Sequence, residues 1–307
     1  MRLATLIGIR YAVGQRAANP FLTDWCKTLK VAQPPLQPCW GASELARRRR
    51  AARNITLMGS MEVGDIDTSL QVAATSQGGT PIFTSEGGQD RWLWKHHFRF
   101  FDRPPIYADF GANDPIFTSN TFFLDRCIGA QGLCVEANPR FFARYDALRS
   151  CSLTRTCLSE VERDVVFAFQ NKDFSTRSGI LVDNKSYRKG RGANGHTDIT
   201  LRCVTGASVF AAAGITHVDL LDLDAEGHEL GILRGIDWGK VEIDIIQVEA
   251  NNEEVASFLS SLNYTRFGRI HYDDVYLRRG FQFQDPSASL IGDSTDACCR
   301  SRAKNCY

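Results

Sequence analysis

No run of about 18 apolar residues occurs in the 307-residue chain, so the sequence predicts no membrane-spanning helix. Its ten cysteines form no C-x-x-C pair, which excludes a zinc ribbon and a thioredoxin-like redox motif. A strong net charge is also missing, since 36 Lys/Arg and 35 Asp/Glu give +1 at pH 7. We therefore expect no nucleic-acid partner.

The N-terminal segment of the chain has an excess of basic residues. Residues 1–60 contain ten Lys/Arg and only two acids, and residues 1–23 hold three Arg and no acid. This pattern is typical of a transit peptide, or of a signal peptide with a short apolar run. A disordered N-terminus is the alternative interpretation, and the four arginines Arg47 to Arg50 are best explained as a solvated helix end.

Composition and periodicity divide the chain into four segments. We expect a basic, poorly ordered or targeting segment (1–60), a Gly/Ser/Thr-rich lead-in (61–104), a globular domain (105–285) and a cysteine-containing tail (286–307).

The cysteines leave two interpretations open. They form disulfides in a secretory lumen, or they remain reduced and behave as small buried hydrophobes. Asn-x-Ser/Thr sequons at Asn54, Asn184 and Asn263 favour the lumen weakly. An organelle or the secretory lumen is therefore expected as the location, ahead of the cytoplasm.

Apolar runs and amphipathic helical segments alternate from about residue 105 onward. Strand patterns occur at 106–110, 132–137 and 243–251, in LTRTCLS (153–159) and in DVVFAF (164–169). Segment 216–227 reads as a strand followed by a tight turn, and segments with helical spacing lie between most of these strands. This alternation predicts a doubly wound α/β sheet, mostly parallel. Residues 170–197 are polar and basic, which predicts a long loop that either covers the site or is simply solvated.

Functional side chains are expected where these strands end, because ligands of open α/β sheets bind beyond the carboxyl ends of the strands. The first strand ends at the small-residue turn that contains Gly111. The second ends at Glu136, 25 residues later, where a carboxylate can accept both hydroxyl protons of a ribose. The segment 222–229 carries five ionisable side chains, a crowding that favours a cationic ligand, a metal or a helix start.

Three motifs in this order, YADFGAN, GLCVEANP and LDLDAEGHELGILRGIDW, resemble those of the FkbM-type methyltransferase family. The resemblance extends from about Gln89 to Gly280. It implies that segment 105–285 is a Rossmann-like methyltransferase domain with an antiparallel last strand. It also implies S-adenosylmethionine as the cofactor, and methyl transfer to a hydroxyl of a sugar, glycan or other small molecule.

The resemblance implies a cofactor site made of six residues at the strand ends: Asp109, Gly111, Ala112, Asn113, Glu136 and Ser159. The first four would hold the methionine part, Glu136 the ribose, and Ser159 would lie near the adenine. The catalytic candidates are three ionisable residues of segment 222–229: Asp224, Glu226 and His228. One departure from the family pattern is Asp114-Pro115, where many relatives have a glycine; the lost N–H puts cofactor affinity in doubt.

Other interpretations remain beside this one. No metal site is expected, but a rival scheme would use Asp224, Glu249 and Asn251 as oxygen ligands of a divalent ion. A nucleotide-dependent oxidoreductase would need a fuller G-x-G-x-x-G turn than GANDPI provides. A catalytically inactive adaptor protein with the same fold is the remaining alternative, because fold alone does not establish activity.

Overall fold

The computed structural model of the chain describes four ranges of residues: 83–170, 178–181, 196–249 and 253–288. The basic segment 1–60, Asn251 and the tail cysteines lie outside them, so the predictions made for these parts stay predictions. The proposed division into four segments likewise stays a prediction. Within the described ranges, no helix has the length and apolar character that crossing a bilayer requires.

Six α-helices and ten strands make up the described part of the chain. The helices are α1 Gln89–His96, α2 Phe122–Cys127, α3 Pro139–Leu148, α4 Gly206–Ala213, α5 Glu229–Arg234 and α6 Glu253–Ser261. The strands are β1 Ile106–Phe110, β2 Gln131–Val135, β3 Ser152–Thr154, β4 Arg163–Gln170, β5 Gly179–Ile180, β6 His196–Cys203, β7 His217–Leu223, β8 Glu242–Glu249, β9 Tyr264–Ile270 and β10 Asp273–Arg278.

Seven strands form the main sheet, in the order β3-β2-β1-β7-β8-β10-β9. The pairs from β3 to β8 are parallel, whereas β10 is antiparallel to both β8 and β9. The strand order reverses between β1 and β7, which creates a crevice at their carboxyl ends. The predicted Rossmann-like fold with an antiparallel last strand is therefore confirmed.

Each face of the main sheet carries its own apolar core. On one face, Leu221 and Ile246 pack with helices α4, α5 and α6. On the other face, Leu220 and Ile245 pack with helices α1, α2 and α3. Because both faces are covered, the central strands are apolar almost throughout, as in the sequence IDIIQV of β8.

Local sequence signals set the limits of the helices. Asn138 caps α3 by accepting a hydrogen bond from the Arg140 N–H (3.1 Å), and Pro139 occupies the first helical position, where no N–H is needed. Thr205 and Ser208 form a reciprocal capping box at the start of α4. Gly214 ends α4 in the left-handed conformation.

A second, three-stranded antiparallel sheet, β5-β4-β6, stands apart from the main sheet. We call it the inserted sheet. The sequence predicted β4 as a strand of the helix-covered parallel sheet and residues 170–197 as a loop, and it missed β6. These predictions are wrong for the parts now described, because β4 pairs with β5 and β6 and buries its apolar side against Ala137 and Cys157.

Two disulfides fasten the edge of the main sheet that lies next to the inserted sheet. Cys134 of β2 is joined to Cys151, just before β3. Cys157, just after β3, is joined to Cys203, the last residue of β6. The inserted sheet is thus covalently linked to the main sheet at the end of β3.

The turn after β1 approaches the turn after β7 very closely, and this contact requires glycine. Gly111 has a φ of +89°, and a Cβ built on it would lie 1.7 Å from the backbone oxygen of Asp224. The Asp224 N–H in turn donates to the carbonyl of Phe110 (3.0 Å). Only a residue without a side chain lets the two strand ends meet in this way.

We expect Gly111→Ala to destabilise the protein by about 2–4 kcal/mol, from the strain of a positive φ and from overpacking against Asp224. Gly280→Ala is the matched control, since Gly280 also has a positive φ (+80°) but nothing within 4 Å of its would-be Cβ. It should cost only about 1–2 kcal/mol, the strain alone. Urea unfolding of both variants measures the difference; equal losses would contradict the proposed steric contact.

Candidate functional site

A cleft that is partly open to solvent lies at the carboxyl ends of β1, β2 and β7. The described residues that line it are Gly111, Asn113, Val135, Glu136, Ala137, Asn138, Thr156, Cys157, Leu158, Phe167, Ser178, Ile180, Asp224, Ala225, Glu226, His228 and Ile232. The cleft therefore occupies the crevice that the reversal of strand order creates.

Glu136 is held in place at this cleft by backbone groups. One carboxylate oxygen accepts from the Asn113 N–H (2.6 Å) and the other from the Asn138 N–H (2.6 Å). Burial raises the pKa of Glu136 to about 7, although these backbone hydrogen bonds act in the opposite direction. Each carboxylate oxygen keeps a second lone pair with which it can accept a hydrogen bond from a ligand.

The Asp114-Pro115 departure leaves the cleft intact. Asp114 accepts hydrogen bonds from the N–H groups of Ile116 and Phe117, both at 2.9 Å, in a tight turn with proline at its second position. Its carboxylate also forms a buried ion pair with Arg144. Neither Asp114 nor Pro115 lines the cleft. The missing proline N–H is therefore not a group that the cleft presents.

Acidic side chains gather at the end of the cleft next to β7 and β8. Asp224 lines the cleft and is accessible to solvent from it. The surrounding protein desolvates the carboxyl and raises its pKa well above the usual range, and repulsion from Glu249 and Glu226 adds to this. A raised pKa makes the ionised carboxylate a stronger base than an ordinary one.

Three of these carboxylates also meet the spacing of a metal site. Oxygens of Asp224, Glu229 and Glu249 all lie within 4.8 Å of one another. Glu229, however, already accepts hydrogen bonds from the N–H groups of Ala225 (3.1 Å) and Gly227 (2.9 Å) at the start of α5. Asp224 and Glu249 were named in the rival metal scheme; its third residue, Asn251, lies outside the described residues.

The ring of His228 lines the cleft and packs against Gly231. A Cβ on Gly231 would lie 2.5 Å from Cε1 of His228. The glycine one turn into α5 therefore makes room for the imidazole beside Asp224 and Glu226, which also line the cleft.

The structure brings six of the nine predicted site residues to this cleft: Gly111, Asn113, Glu136, Asp224, Glu226 and His228. The other three do not line it. Asp109 accepts a hydrogen bond from Thr121 on the side of the sheet away from the cleft, and Ala112 is buried below the turn. Ser159 is buried and accepts a hydrogen bond from Arg163 (3.0 Å).

Sequence reasoning missed several lining residues, chiefly those of the inserted sheet and its surroundings. Phe167, Ser178 and Ile180 come from β4 and the segment around β5, and Asn138 and Thr156 follow β2 and β3. The alternating pattern of DVVFAF could have indicated that Phe167 faces inward, but nothing in the sequence indicates against which surface it packs.

A buried layer of amides and carboxyls lies on the α1–α3 side of the sheet. Gln247 donates to Asp222 (2.8 Å) and Asp273 (3.1 Å), and Asn120 donates to the same two groups. Burial raises the pKa of Asp273 to about 7 and that of Asp222 well above its usual range. Asp222 therefore faces away from the cleft and serves this network.

Comparison with known proteins adds one finding. The family model described as "Methyltransferase FkbM domain" matches residues 109–267, just over half of the chain. No curated protein and no solved structure matches the chain significantly. The matched range includes every cleft-lining residue named above.

Because several carboxyls are buried, the protein should be more stable in mild acid than at pH 7.5. Asp90, Glu136 and Asp273 have pKa values raised to about 6, 7 and 7, so folding takes up protons and stability falls as the pH rises from about 4 to 7. His97, with a pKa lowered to about 4, opposes this trend below pH 6.5. We expect a net loss of a few kcal/mol between pH 5.5 and 7.5.

Urea unfolding at the two pH values measures this loss. Glu136→Gln removes one of the groups and should make the pH dependence smaller. A protein that is equally stable at both pH values, or more stable at pH 7.5, would contradict the predicted direction.

Proposed function

The chain belongs to the FkbM methyltransferase family, and from this premise we propose that it transfers the methyl group of S-adenosylmethionine to a hydroxyl oxygen of a sugar, glycan or other small molecule. The observation that carries the proposal is the chemistry of the cleft. The ionisable groups among its described lining residues are one imidazole and three carboxylates, Glu136, Asp224 and Glu226. Such a cleft suits a ligand with a ribose, an ammonium group and a sulfonium charge.

The residues of the cleft fit this cofactor part by part. Glu136, fixed by two backbone N–H groups, can accept hydrogen bonds from both ribose hydroxyls. Gly111 lines the cleft beside Asp224, where the amino-acid part would lie. The carboxylates of Asp224 and Glu226 favour a cation in their neighbourhood, because their mutual repulsion is relieved by it.

When bound, S-adenosylmethionine supplies a methyl group that is activated by the positive charge on sulfur. The protein must then hold the acceptor hydroxyl in line with that methyl and remove its proton. In this proposal Asp224 takes the proton, since its raised pKa makes its ionised form a stronger base than an ordinary carboxylate. Glu226 and His228 remain further candidates, as both line the same end of the cleft.

We also propose that the protein works in an oxidising compartment. The two disulfides of the described region, Cys134–Cys151 and Cys157–Cys203, support this location, because such bonds persist in the secretory lumen and outside the cell.

S-Adenosylhomocysteine, the product form of the cofactor, should bind the purified protein, and Glu136→Ala should weaken binding by about 100-fold or more, since two charge-assisted hydrogen bonds are lost. Calorimetry measures both. Affinity of the wild-type protein should also fall by about tenfold per pH unit below pH 7, because protonated Glu136 accepts hydrogen bonds less well.

Glu160→Ala is the control, since Glu160 is an exposed glutamate that does not line the cleft. It should bind with unchanged affinity. If the wild-type protein does not bind S-adenosylhomocysteine, the assignment of the cofactor is refuted.

Methyl transfer itself should depend on Asp224. With S-adenosylmethionine labelled in the methyl group and a cell extract as the source of acceptor, wild-type protein should label an alcohol-bearing compound. Asp224→Asn should lower the rate by about 10²–10⁴-fold, the usual contribution of a general base, while S-adenosylhomocysteine still binds.

Addition of a chelator tests the rival metal scheme in the same assay. Labelling that persists in the chelator excludes a metal held by Asp224 and Glu249. An Asp224→Asn variant with full activity would instead exclude Asp224 as the base.

A further inference from the structure

The cleft differs in character between its two sides. Asp224 and Glu226 line it after β7, whereas the apolar residues Ala137, Cys157, Phe167 and Ile180 pack together at the opposite side, beside the ends of β2 and β3. Glu136 belongs to the same cleft and follows β2, whereas Asp224 follows β7. An elongated ligand that carries its cation at one end and a flat apolar group at the other can bind in one orientation only.

We propose that Phe167 and Ile180 of the inserted sheet form the wall against which the adenine base of the cofactor packs. The inference rests on the proposed function, and it assigns to the inserted sheet a role in selecting a purine nucleoside. It also replaces Ser159 as the adenine contact, because Ser159 is 1 % exposed and does not line the cleft.

Strand pairing places the two side chains together. Phe167 of β4 is opposite Ile180 of β5 in the antiparallel pair, so both side chains lie on one side of the inserted sheet. That side also carries Phe169, whose ring centroid is 5.0 Å from that of Phe167. Phe169 does not line the cleft, so it supports the Phe167 ring from within the buried cluster.

The wall is fixed to the main sheet at the base of the cleft. Cys157, itself a lining residue, is bonded to Cys203 of β6. The next residues continue the connection through the backbone, since the Ser159 N–H donates to the Val204 carbonyl (2.9 Å) and the Val204 N–H to the Cys157 carbonyl (3.0 Å). A wall held in this way can present an aromatic face to a base at little entropic cost.

Aromatic side chains are well suited to this task. A purine has two apolar faces, and its contact with an aromatic ring contributes substantially to nucleotide binding and depends little on the identity of the base edge. In this arrangement Glu136 binds the ribose and the cationic part lies near Asp224. The base must then lie on the opposite, apolar side of the cleft.

Calorimetry with S-adenosylhomocysteine tests the proposal on three proteins: wild type, Phe167→Ala and Phe169→Ala. Both phenylalanines belong to the same strand, the same face and the same buried cluster, so both truncations should lower stability by similar amounts. Only Phe167→Ala should weaken binding, by about 10- to 100-fold. Phe167→Trp, which keeps an aromatic face, should bind much more tightly than Phe167→Ala.

S-Ribosylhomocysteine, which lacks the base, is the ligand-side control. It should bind wild type and Phe167→Ala equally, because it has no group that reaches Phe167. If wild type binds S-adenosylhomocysteine but Phe167→Ala and Phe169→Ala bind it equally well, the adenine wall is refuted and the proposed function stands. If Phe167→Ala weakens both ligands alike, Phe167 acts on the cleft as a whole and the proposal is again refuted. If wild type binds neither ligand, the proposed function itself fails.

Discussion

The buried ion pair of Arg149 and Asp125 holds the loop on which the cleft depends. Both side chains are fully buried, and Nε of Arg149 donates to Asp125 at 2.6 Å. The same guanidinium donates to the carbonyl of Pro115 and to the hydroxyls of Ser119 and Thr121. A buried charge pair is stable only when its other hydrogen-bonding groups are satisfied, and the loop after β1 satisfies them here.

This arrangement has a consequence for the cleft. The loop that surrounds Arg149 is continuous with the turn at Gly111 and with Asn113, whose N–H orients Glu136. The backbone N–H groups that orient Glu136 are thus held by contacts within the protein. A site prepared in this way loses little conformational entropy on binding, so the interactions at Glu136 can contribute to affinity in full.

Charge is distributed around the sheet edge in a way that separates two tasks. The carboxyls of Asp222 and Asp273 are buried and accept hydrogen bonds from side-chain amides, so their role is to stabilise the fold. Asp224 and Glu226 face the cleft, where a cation would relieve their repulsion. Asp222 lies within β7, whereas Asp224 and Glu226 follow the end of that strand at Leu223, where the chain turns along the cleft.

Much of the main sheet could be predicted from the sequence, because its strands are apolar runs and its helices carry cap signals such as Asn138-Pro139. The position of the carboxylate at the end of β2 could be predicted equally well, because the carboxyl ends of parallel strands lie at one edge of the sheet. Asp109 points to the other face of the sheet from the cleft, because adjacent residues of a strand point to opposite faces.

The pairing of the inserted sheet could not be predicted, because β4 pairs with β6 across 25 intervening residues. The alternation of Ile199, Leu201 and Cys203 with polar neighbours could have indicated β6 as a strand. It could not have indicated the bond from Cys203 to Cys157, because spacing alone does not determine which cysteines pair.

That bond closes a loop of 46 residues that contains the whole inserted sheet. Loop-closure entropy grows only with the logarithm of length, so a chain segment sealed at its base can gain or lose residues at small thermodynamic cost. The sequences of the seven-stranded sheet and of the inserted sheet can therefore diverge at different evolutionary rates. Related proteins could keep the same chemistry at β1, β2 and β7 and still accept bulkier ligands. The changes would be confined to the segment between Cys157 and Cys203.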